Sequence, residues 1–193
     1  MTDAPVTPPT AAPRRGLWLA GAVLAALLAL LAVGMTKDPR ALPSVRLGQP
    51  WPELARPRLG AAADATPVGP AQWRGKARIV NLWASWCGTC REEPPALMAL
   101  AATLRAQGRA DQLVGLNYKD RPADATDWLA RFGDPFVYSL ADADGRLAIV
   151  LGVYRAPEAV LHDADGRTVP RHVGALTPQV IAEQLLPRLG APS

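Results

Sequence analysis

The two cysteines of the chain lie together in the segment Trp86-Cys87-Gly88-Thr89-Cys90. An apolar run at residues 79–84 predicts a strand before them, and a segment able to form a helix follows. The free N–H groups and the dipole at the start of a helix favour an anion, so a Cys87 thiolate is stabilised there and attacks at neutral pH. Cys90 lies one turn further along, within reach for a disulfide. The pattern predicts thiol–disulfide exchange.

Other uses of a C-x-x-C pair fit this sequence less well. A structural disulfide would close a very short loop, and the stabilisation from such a loop is small. A zinc site needs about four ligands, but no second C-x-x-C is present, and His162 and His172 lie far along the chain. Covalent haem attachment requires a histidine directly after the second cysteine, and Arg91 occupies that position.

Residues 16–35 contain no charged side chain and consist mainly of Leu, Ala and Val. At a rise of about 1.5 Å per residue, such a helix is about long enough to cross a hydrocarbon core of roughly 30 Å. Arg14 and Arg15 precede it, and the positive-inside rule places the short N-terminal tail in the cytoplasm. Lys37 and Arg40 on the far side weaken this asymmetry.

A cleaved signal peptide is the alternative, with Ala32-Val33-Gly34 as a poor cleavage site. The apolar block is longer than a usual signal-peptide core, which favours an uncleaved anchor. We therefore predict a cytoplasmic tail at 1–15, a transmembrane signal anchor at 16–35, a linker at 36–43 and a periplasmic domain at 44–193. The periplasm is oxidising, so a functional dithiol there needs its own redox partners.

The formal net charge of +4 does not indicate nucleic-acid binding. Part of it comes from the basic residues that flank the apolar block. The rest of the chain is nearly balanced and has no basic stripe, so no nucleic-acid partner is expected.

The remaining patterns predict an α/β layout with a mixed sheet. Loops, with a short hairpin as an option, are expected at 44–72, and residues 147–153 fit a helix or a strand. Pro94 and Pro95 should bend the first helix of the domain, and Asp165-Gly166 predicts a hairpin turn. The predicted strands are 77–84, 112–117, 136–140, 158–162 and 168–173, and the predicted helices are 87–107, 123–132 and 177–189.

Five segments of the chain resemble one family, at residues 81–93, 115–120, 151–158, 163–166 and 171–174. They are similar to the CcmG or DsbE proteins, the membrane-anchored, periplasmic thioredoxin-like proteins of cytochrome c maturation. The "LNYKD" and "GVY-x-APE" segments, in this order and spacing, are more specific than the C-x-x-C. The resemblance covers about residues 44–189. It implies a thioredoxin-like fold, with a mixed central sheet flanked by helices and an N-terminal transmembrane helix.

The resemblance also implies roles for the catalytic residues. Cys87 would be the nucleophile that forms a mixed disulfide, and Cys90 the resolving thiol. Pro157 would be the cis-proline of the fold, packed against the dithiol. Glu93, on the helical turn after Cys90, would be a partly buried acid that relays a proton to or from Cys90. The alternative for Glu93 is an exposed helix-surface glutamate, which suits Glu92 better.

Four further residues match the surface that receives a partner in this family: Trp86, Tyr154, Ala156 and Glu158. An exposed structural role is the alternative for Tyr154 and Glu158. Some positions depart from the family pattern. Arg155 replaces a usual glycine and brings charge to the partner groove, Gly88 replaces a frequent proline, Ala159 replaces a usual threonine, and His162 replaces an apolar strand residue. We expect His162 to be a core histidine with its hydrogen bonds satisfied.

The resemblance implies a membrane-tethered periplasmic reductant. It would act on the haem-binding cysteines of apocytochrome c, or with the maturation chaperones of that protein. A transmembrane electron donor of the DsbD or CcdA kind would re-reduce it. The dithiol is the redox group, so no cofactor and no metal is expected, and a monomer is expected. The alternatives are a general thiol-disulfide oxidoreductase, including an oxidant, and an assembly factor for a copper oxidase.

Overall fold

The computed structural model describes residues 14–36, 47–153 and 155–190, which belong to two compact units. The first unit contains helix α1, Arg14–Thr36, in which residues 15–35 are exposed. Its segment Arg15–Met35 has a mean hydropathy of 2.5, and it is the one described helix that is long and apolar enough to cross a membrane. This agrees with an anchor or a signal sequence. The predicted tail up to residue 13 and most of the predicted linker lie outside the described residues.

The described part of the second unit, residues 47–153 and 155–190, contains five strands and four helices. The strands are β1 Arg78–Trp83, β2 Leu113–Tyr118, β3 Ser139–Asp142, β4 Glu158–His162 and β5 Thr168–Val173. The helices are α2 Pro94–Ala106, α3 Pro122–Phe132, α4 Arg146–Val150 and α5 Pro178–Val180, which continues as a π-helical segment Ile181–Leu185 and a 3-10 turn Leu186–Leu189. Further 3-10 turns are Pro70–Trp73, Thr89–Glu92 and Ala110–Gln112.

The strands form one mixed sheet in the order β3-β2-β1-β4-β5. The pairs β1–β2 and β2–β3 are parallel, whereas β1–β4 and β4–β5 are antiparallel. Parallel neighbours need crossover connections, and α2 and α3 supply them. β1 lies in the centre, and all six of its residues are buried. The predicted thioredoxin-like fold is confirmed.

Two apolar clusters form the core, and β1 contributes to both because successive strand side chains point to opposite faces. Ile79 belongs to one cluster and Val80 to the other. The Ile79 cluster includes α2, α3 and the C-terminal helical segment, together with both cysteines. The Val80 cluster includes α4 and the segment that contains Trp51. The two cysteines therefore lie just after the carboxyl end of the central strand β1, within the Ile79 cluster.

Several predicted elements differ from the structure. The expected helix at 87–107 is interrupted at Glu93, and α2 begins at Pro94 because proline lacks the N–H that a continuing helix needs. The expected strand at 136–140 lies three residues later, at β3. Residues 146–150 form a helix. Within the described part of 44–72, Arg56 and Val68 form an antiparallel bridge that closes a short hairpin-like loop.

The hairpin and the start of the C-terminal helix agree with the sequence. β4 and β5 occupy the residues predicted for them, on either side of the turn at Asp165-Gly166. The Thr177 side chain accepts a hydrogen bond from the Val180 N–H at 3.2 Å, as expected of an N-cap. The prediction of one regular α-helix at 177–189 was wrong, because most of this segment is π-helical or 3-10.

Candidate active site

The dithiol is present as a disulfide between Cys87 and Cys90, with the two Cα atoms 5.4 Å apart. It follows the carboxyl end of β1, and Cys90 lies in the 3-10 turn Thr89–Glu92. Cys87 is 5% exposed and Cys90 is fully buried. The Cys90 N–H donates to Cys87 Sγ at 3.2 Å, so the outer sulfur is supported by a backbone donor. Cys87 is slightly more exposed than Cys90, and its role as the nucleophile stays a prediction.

The segment before Cys87 is held by the loop that follows β2. The Trp86 indole is 57% exposed, and its Nε1–H donates to the Lys119 carbonyl oxygen at 3.0 Å. The Ser85 N–H and hydroxyl donate to the two carboxylate oxygens of Asp120 at 2.6 and 2.7 Å. Sequence reasoning missed Asp120. The "LNYKD" segment was visible only as part of a resemblance, and the contact joins residues 35 positions apart.

Glu93 is 1% exposed. Its carboxylate accepts a hydrogen bond from the Leu176 N–H at 2.8 Å and a longer one from the Asn81 side-chain amide at 3.4 Å. Burial raises the pKa of Glu93 from 4.5 to about 7, and the two neutral donors offset only part of that rise. Glu93 can therefore hold or release a proton near neutral pH. Glu92 is exposed, as expected of a surface glutamate.

The Ala156–Pro157 peptide bond is cis. Pro157 is buried, and its carbonyl oxygen accepts a hydrogen bond from the Gly174 N–H at 3.0 Å. Ala156 is half-buried and packs against the core cluster that contains both cysteines. The Ala156–Pro157 segment therefore borders the apolar cluster to which Cys87 and Cys90 belong. Tyr154 lies outside the described residues.

Glu158 is not on the surface. Its side chain is fully buried at the start of β4, and one carboxylate oxygen lies 3.5 Å from Arg171 Nη1 on β5. Arg171, whose side chain is 7% exposed, also donates to the Gly152 carbonyl oxygen in the loop before the cis-proline. A buried Glu158 does not present a surface to a partner. The prediction that Glu158 lines a partner groove is therefore corrected, because its side chain forms an ion pair inside the domain.

The chain is similar to known proteins over most of its length. A family model described as Redoxin matches residues 40–186. The thiol:disulfide interchange protein DsbE of Pseudomonas aeruginosa is 40% identical and covers 80% of this chain and 81% of its own length. That of Escherichia coli K12 is 39% identical, with 86% of each chain covered. The chain belongs to the DsbE family of redoxins.

Solved structures agree with the DsbE assignment. A candidate DsbE thiol:disulfide interchange protein from Chlorobium tepidum superposes with a TM-score of 0.63 at 27% identity, over 78% of this chain and all of that chain. A secreted thiol-disulfide isomerase from Corynebacterium glutamicum superposes with a TM-score of 0.64 at 21% identity and shows the fold alone. As a DsbE protein with the Cys87–Cys90 pair, the chain is a thiol-disulfide oxidoreductase.

Two departures from the DsbE pattern have clear positions. Arg155 is exposed, directly before Ala156. His162 is fully buried, and its ring meets those of Trp51 and Trp73 edge to face, each at 5.4 Å between centroids. Burial lowers the pKa of His162. Neither ring nitrogen makes a hydrogen bond of normal geometry within residues 47–153 and 155–190, and the backbone at His162 and Asp163 offsets only part of the pKa shift. The histidine therefore belongs to the core and is packed mainly by aromatic rings.

No group of three or more His, Cys, Asp or Glu side chains within the described residues is arranged to hold a metal ion. The described site holds the two sulfurs of Cys87 and Cys90 and, three residues after Cys90, the buried acid Glu93. Exposed Trp86 stands at its edge.

Proposed function

We propose that the chain is a membrane-tethered, periplasmic reductant of the haem-binding cysteines of apocytochrome c. The family resemblance implies cytochrome c maturation, and the DsbE relatives support thiol–disulfide interchange on the periplasmic face of the membrane. Helix α1, Arg14–Thr36, supplies a segment that suits a tether. The catalytic set proposed here is Cys87, Cys90, Glu93 and Pro157, with Trp86 and Ala156 on the partner side.

The observation that carries the direction of electron flow is the buried acid beside an uncharged dithiol. Strongly oxidising dithiols stabilise the nucleophilic thiolate with nearby cations. Here Gly88 and Thr89 separate the cysteines, and Glu93 is the titratable group on the neighbouring turn. A carboxylate opposes a thiolate close to it and so disfavours the reduced, ionised state. A dithiol in such surroundings is the better electron donor.

The exchange uses two sulfur displacements. The Cys87 thiolate attacks one sulfur of the partner disulfide, and the other partner sulfur leaves as a thiolate. Cys90 then loses its proton, which Glu93 accepts when ionised, and attacks Cys87 Sγ. The second partner thiolate leaves, and the Cys87–Cys90 disulfide forms. One disulfide is reduced and one is made. A transmembrane dithiol donor of the DsbD or CcdA kind would reverse the change at Cys87.

The reduction potential tests this proposal. We expect equilibration of the full chain with a dithiothreitol couple to give a value nearer to about −270 mV, as in thioredoxin, than to about −120 mV, as in DsbA. In a second measurement, reduced protein should reduce a peptide that contains a C-x-x-C-H disulfide. A potential as oxidising as that of DsbA would exclude the reductant.

Variants of the two cysteines test the assignment of roles in the same assay. Cys87→Ser should abolish exchange, because the accessible sulfur is lost. Cys90→Ser should accumulate a mixed disulfide between Cys87 and the peptide, which mass spectrometry detects. Faster alkylation of Cys90 than of Cys87 in the reduced protein would reverse the two roles.

A further inference from the structure

We propose that Asp120 is a positioning residue for disulfide exchange, which holds the Ser85-Trp86 segment so that the partner-facing side of Cys87 is presented in one geometry. The inference rests on thiol–disulfide exchange, and it does not require that the partner is an apocytochrome. Asp120 donates no atom to the reaction. It acts through the two residues that precede the nucleophile.

The Asp120 carboxylate accepts hydrogen bonds from four donors. One oxygen accepts from the Ser85 N–H at 2.6 Å and from the Asn117 side-chain amide at 3.0 Å. The other accepts from the Ser85 hydroxyl at 2.7 Å and from the Arg121 N–H at 2.9 Å. Hydrogen bonds to an ionised acceptor are shorter and roughly twice as strong as neutral ones. Ser85 is thus fixed at both its backbone and its side chain.

A second contact runs in parallel. The Trp86 indole N–H donates to the carbonyl oxygen of Lys119, the residue before Asp120. Lys119 has a φ of +45°, the one positive φ of a non-glycine residue in the described chain. That conformation is costly for a side-chain-bearing residue and persists only where surrounding contacts impose it. The loop after β2 therefore holds two consecutive residues of the Cys87 loop.

The consequence for exchange comes from Trp86. Trp86 is largely exposed and directly precedes Cys87, so its side chain forms part of the surface next to the residue that a partner disulfide approaches. Loss of the Asp120 contacts would let Ser85 and Trp86 adopt several orientations. A small reagent can still reach Cys87, whereas a peptide disulfide depends on the orientation of the surface around the sulfur. Misplacement of about 1 Å can slow a reaction by up to about 100-fold.

The test compares two substrates on reduced full chain in detergent. The first is iodoacetamide, which measures Cys87 by itself, and the second is a peptide with an intramolecular C-x-x-C disulfide. Asp120→Asn keeps the shape but cannot satisfy all four donors, and Asp120→Ala removes every contact. Asp163→Asn is the matched control. Asp163 is also half-buried, and it accepts a hydrogen bond from a loop N–H, that of Arg167 at 2.7 Å, in the β4–β5 turn.

We expect Asp120→Asn to lower the second-order rate constant with the peptide roughly tenfold. The iodoacetamide rate should stay within about twofold or rise, because removal of a negative charge does not disfavour a nearby thiolate. Ser85→Ala, which loses only the hydroxyl contact, should give a smaller loss with the peptide. Asp163→Asn should change neither rate. Fluorescence anisotropy should report a more mobile Trp86 in Asp120→Asn.

Two results would overturn the proposal. One is an unchanged peptide rate in Asp120→Asn, whose near-native shape keeps the test valid even where Asp120→Ala does not fold. The other is an equal fall of the peptide and iodoacetamide rates, or the same loss in Asp163→Asn, since either would indicate general destabilisation and not positioning.

Discussion

Two buried glutamates in this domain have opposite surroundings. Glu93, which precedes α2, is 1% exposed and accepts hydrogen bonds from a backbone N–H and a side-chain amide, both neutral. Glu158, at the start of β4, is fully buried but lies 3.5 Å from the Arg171 guanidinium. One carboxyl group is surrounded by neutral partners and the other is paired with a cation.

The different partners of the two acids explain why the Glu93 carboxyl can exchange a proton, whereas the Glu158 carboxylate stabilises the fold. Desolvation disfavours a charge, and neutral donors compensate only partly, so the pKa of Glu93 rises to about 7. Glu93 can then gain or lose a proton near neutral pH, as the proposed proton transfer requires. A buried charge opposite a buried cation joins two strands instead, and removal of either partner leaves the other uncompensated. Burial by itself does not assign a function.

The largest effect is expected from removal of the cation. Arg171→Met should lower the free energy of unfolding of the oxidised protein by up to about 3–5 kcal/mol, because the buried Glu158 carboxylate loses its contact with the Arg171 guanidinium. Urea unfolding at pH 7, followed by tryptophan fluorescence in detergent, measures it. The double variant Arg171→Met/Glu158→Gln should recover much of the loss. Arg167→Met, at an exposed arginine that donates to the Gly48 carbonyl, is the control. If Arg167→Met lowers the free energy of unfolding by the same amount, the loss in Arg171→Met is not due to the ion pair.

The second effect is the pH dependence of stability due to Glu93. A pKa raised from 4.5 to about 7 means that the folded state holds the proton more tightly than the unfolded state. The contribution is therefore complete below about pH 4.5 and is lost as the pH rises through 7, by at most about 3 kcal/mol. Glu93→Gln, which carries no charge, should flatten that slope. Urea unfolding at several pH values between 4.5 and 8 tests the sign, and a slope unchanged in Glu93→Gln would refute it.

The third effect separates the two acids in catalysis. Glu93→Gln should lower the pKa of the nearer thiol, because an anion beside the thiolate is removed. Peptide-disulfide reduction should run at a similar rate in the variant and the wild type at pH 6, where wild-type Glu93 is mostly protonated, and the two pH profiles should diverge above pH 7, where only the wild type carries the carboxylate. Glu158→Gln should leave the shape of the pH profile unchanged, since the ion pair is structural. If Glu158→Gln shifts the profile as much as Glu93→Gln does, the contrast between the two acids is wrong.

The smallest effect is expected next to Glu93. Glu92 is exposed, so Glu92→Gln should change the free energy of unfolding by less than about 0.5 kcal/mol. It should also leave the pH slope intact. The variant is a matched control for Glu93→Gln, because the residue type and the change are the same and only burial differs. A Glu92→Gln slope as flat as that of Glu93→Gln would mean that burial is not the cause.

Local patterns predicted much of this molecule. β4 and β5 follow from the Asp165-Gly166 dipeptide between two segments of strand length, because a tight turn is a local property of the sequence. The interruption before α2 was expected only as a bend, although Pro94 and Pro95 are visible in the sequence. Whether proline bends a helix or starts a new one depends on whether the preceding residues find other contacts. The cis state of Pro157 came from the resemblance.

The sequence by itself determined the redox chemistry and the apolar N-terminal span, since two sulfurs three positions apart and an uncharged block need no distant residue to be recognised. Only the tertiary structure decided which charged side chains are buried and which groups they contact. Glu158 follows a proline and was expected at a surface, but the pairing of β4 with β5 brings Arg171 beside it. Asp120 meets Ser85 only because β1 and β2 are parallel neighbours whose carboxyl ends adjoin. Desolvation and counter-charges arise from elements far apart in the chain, so only the folded arrangement sets them.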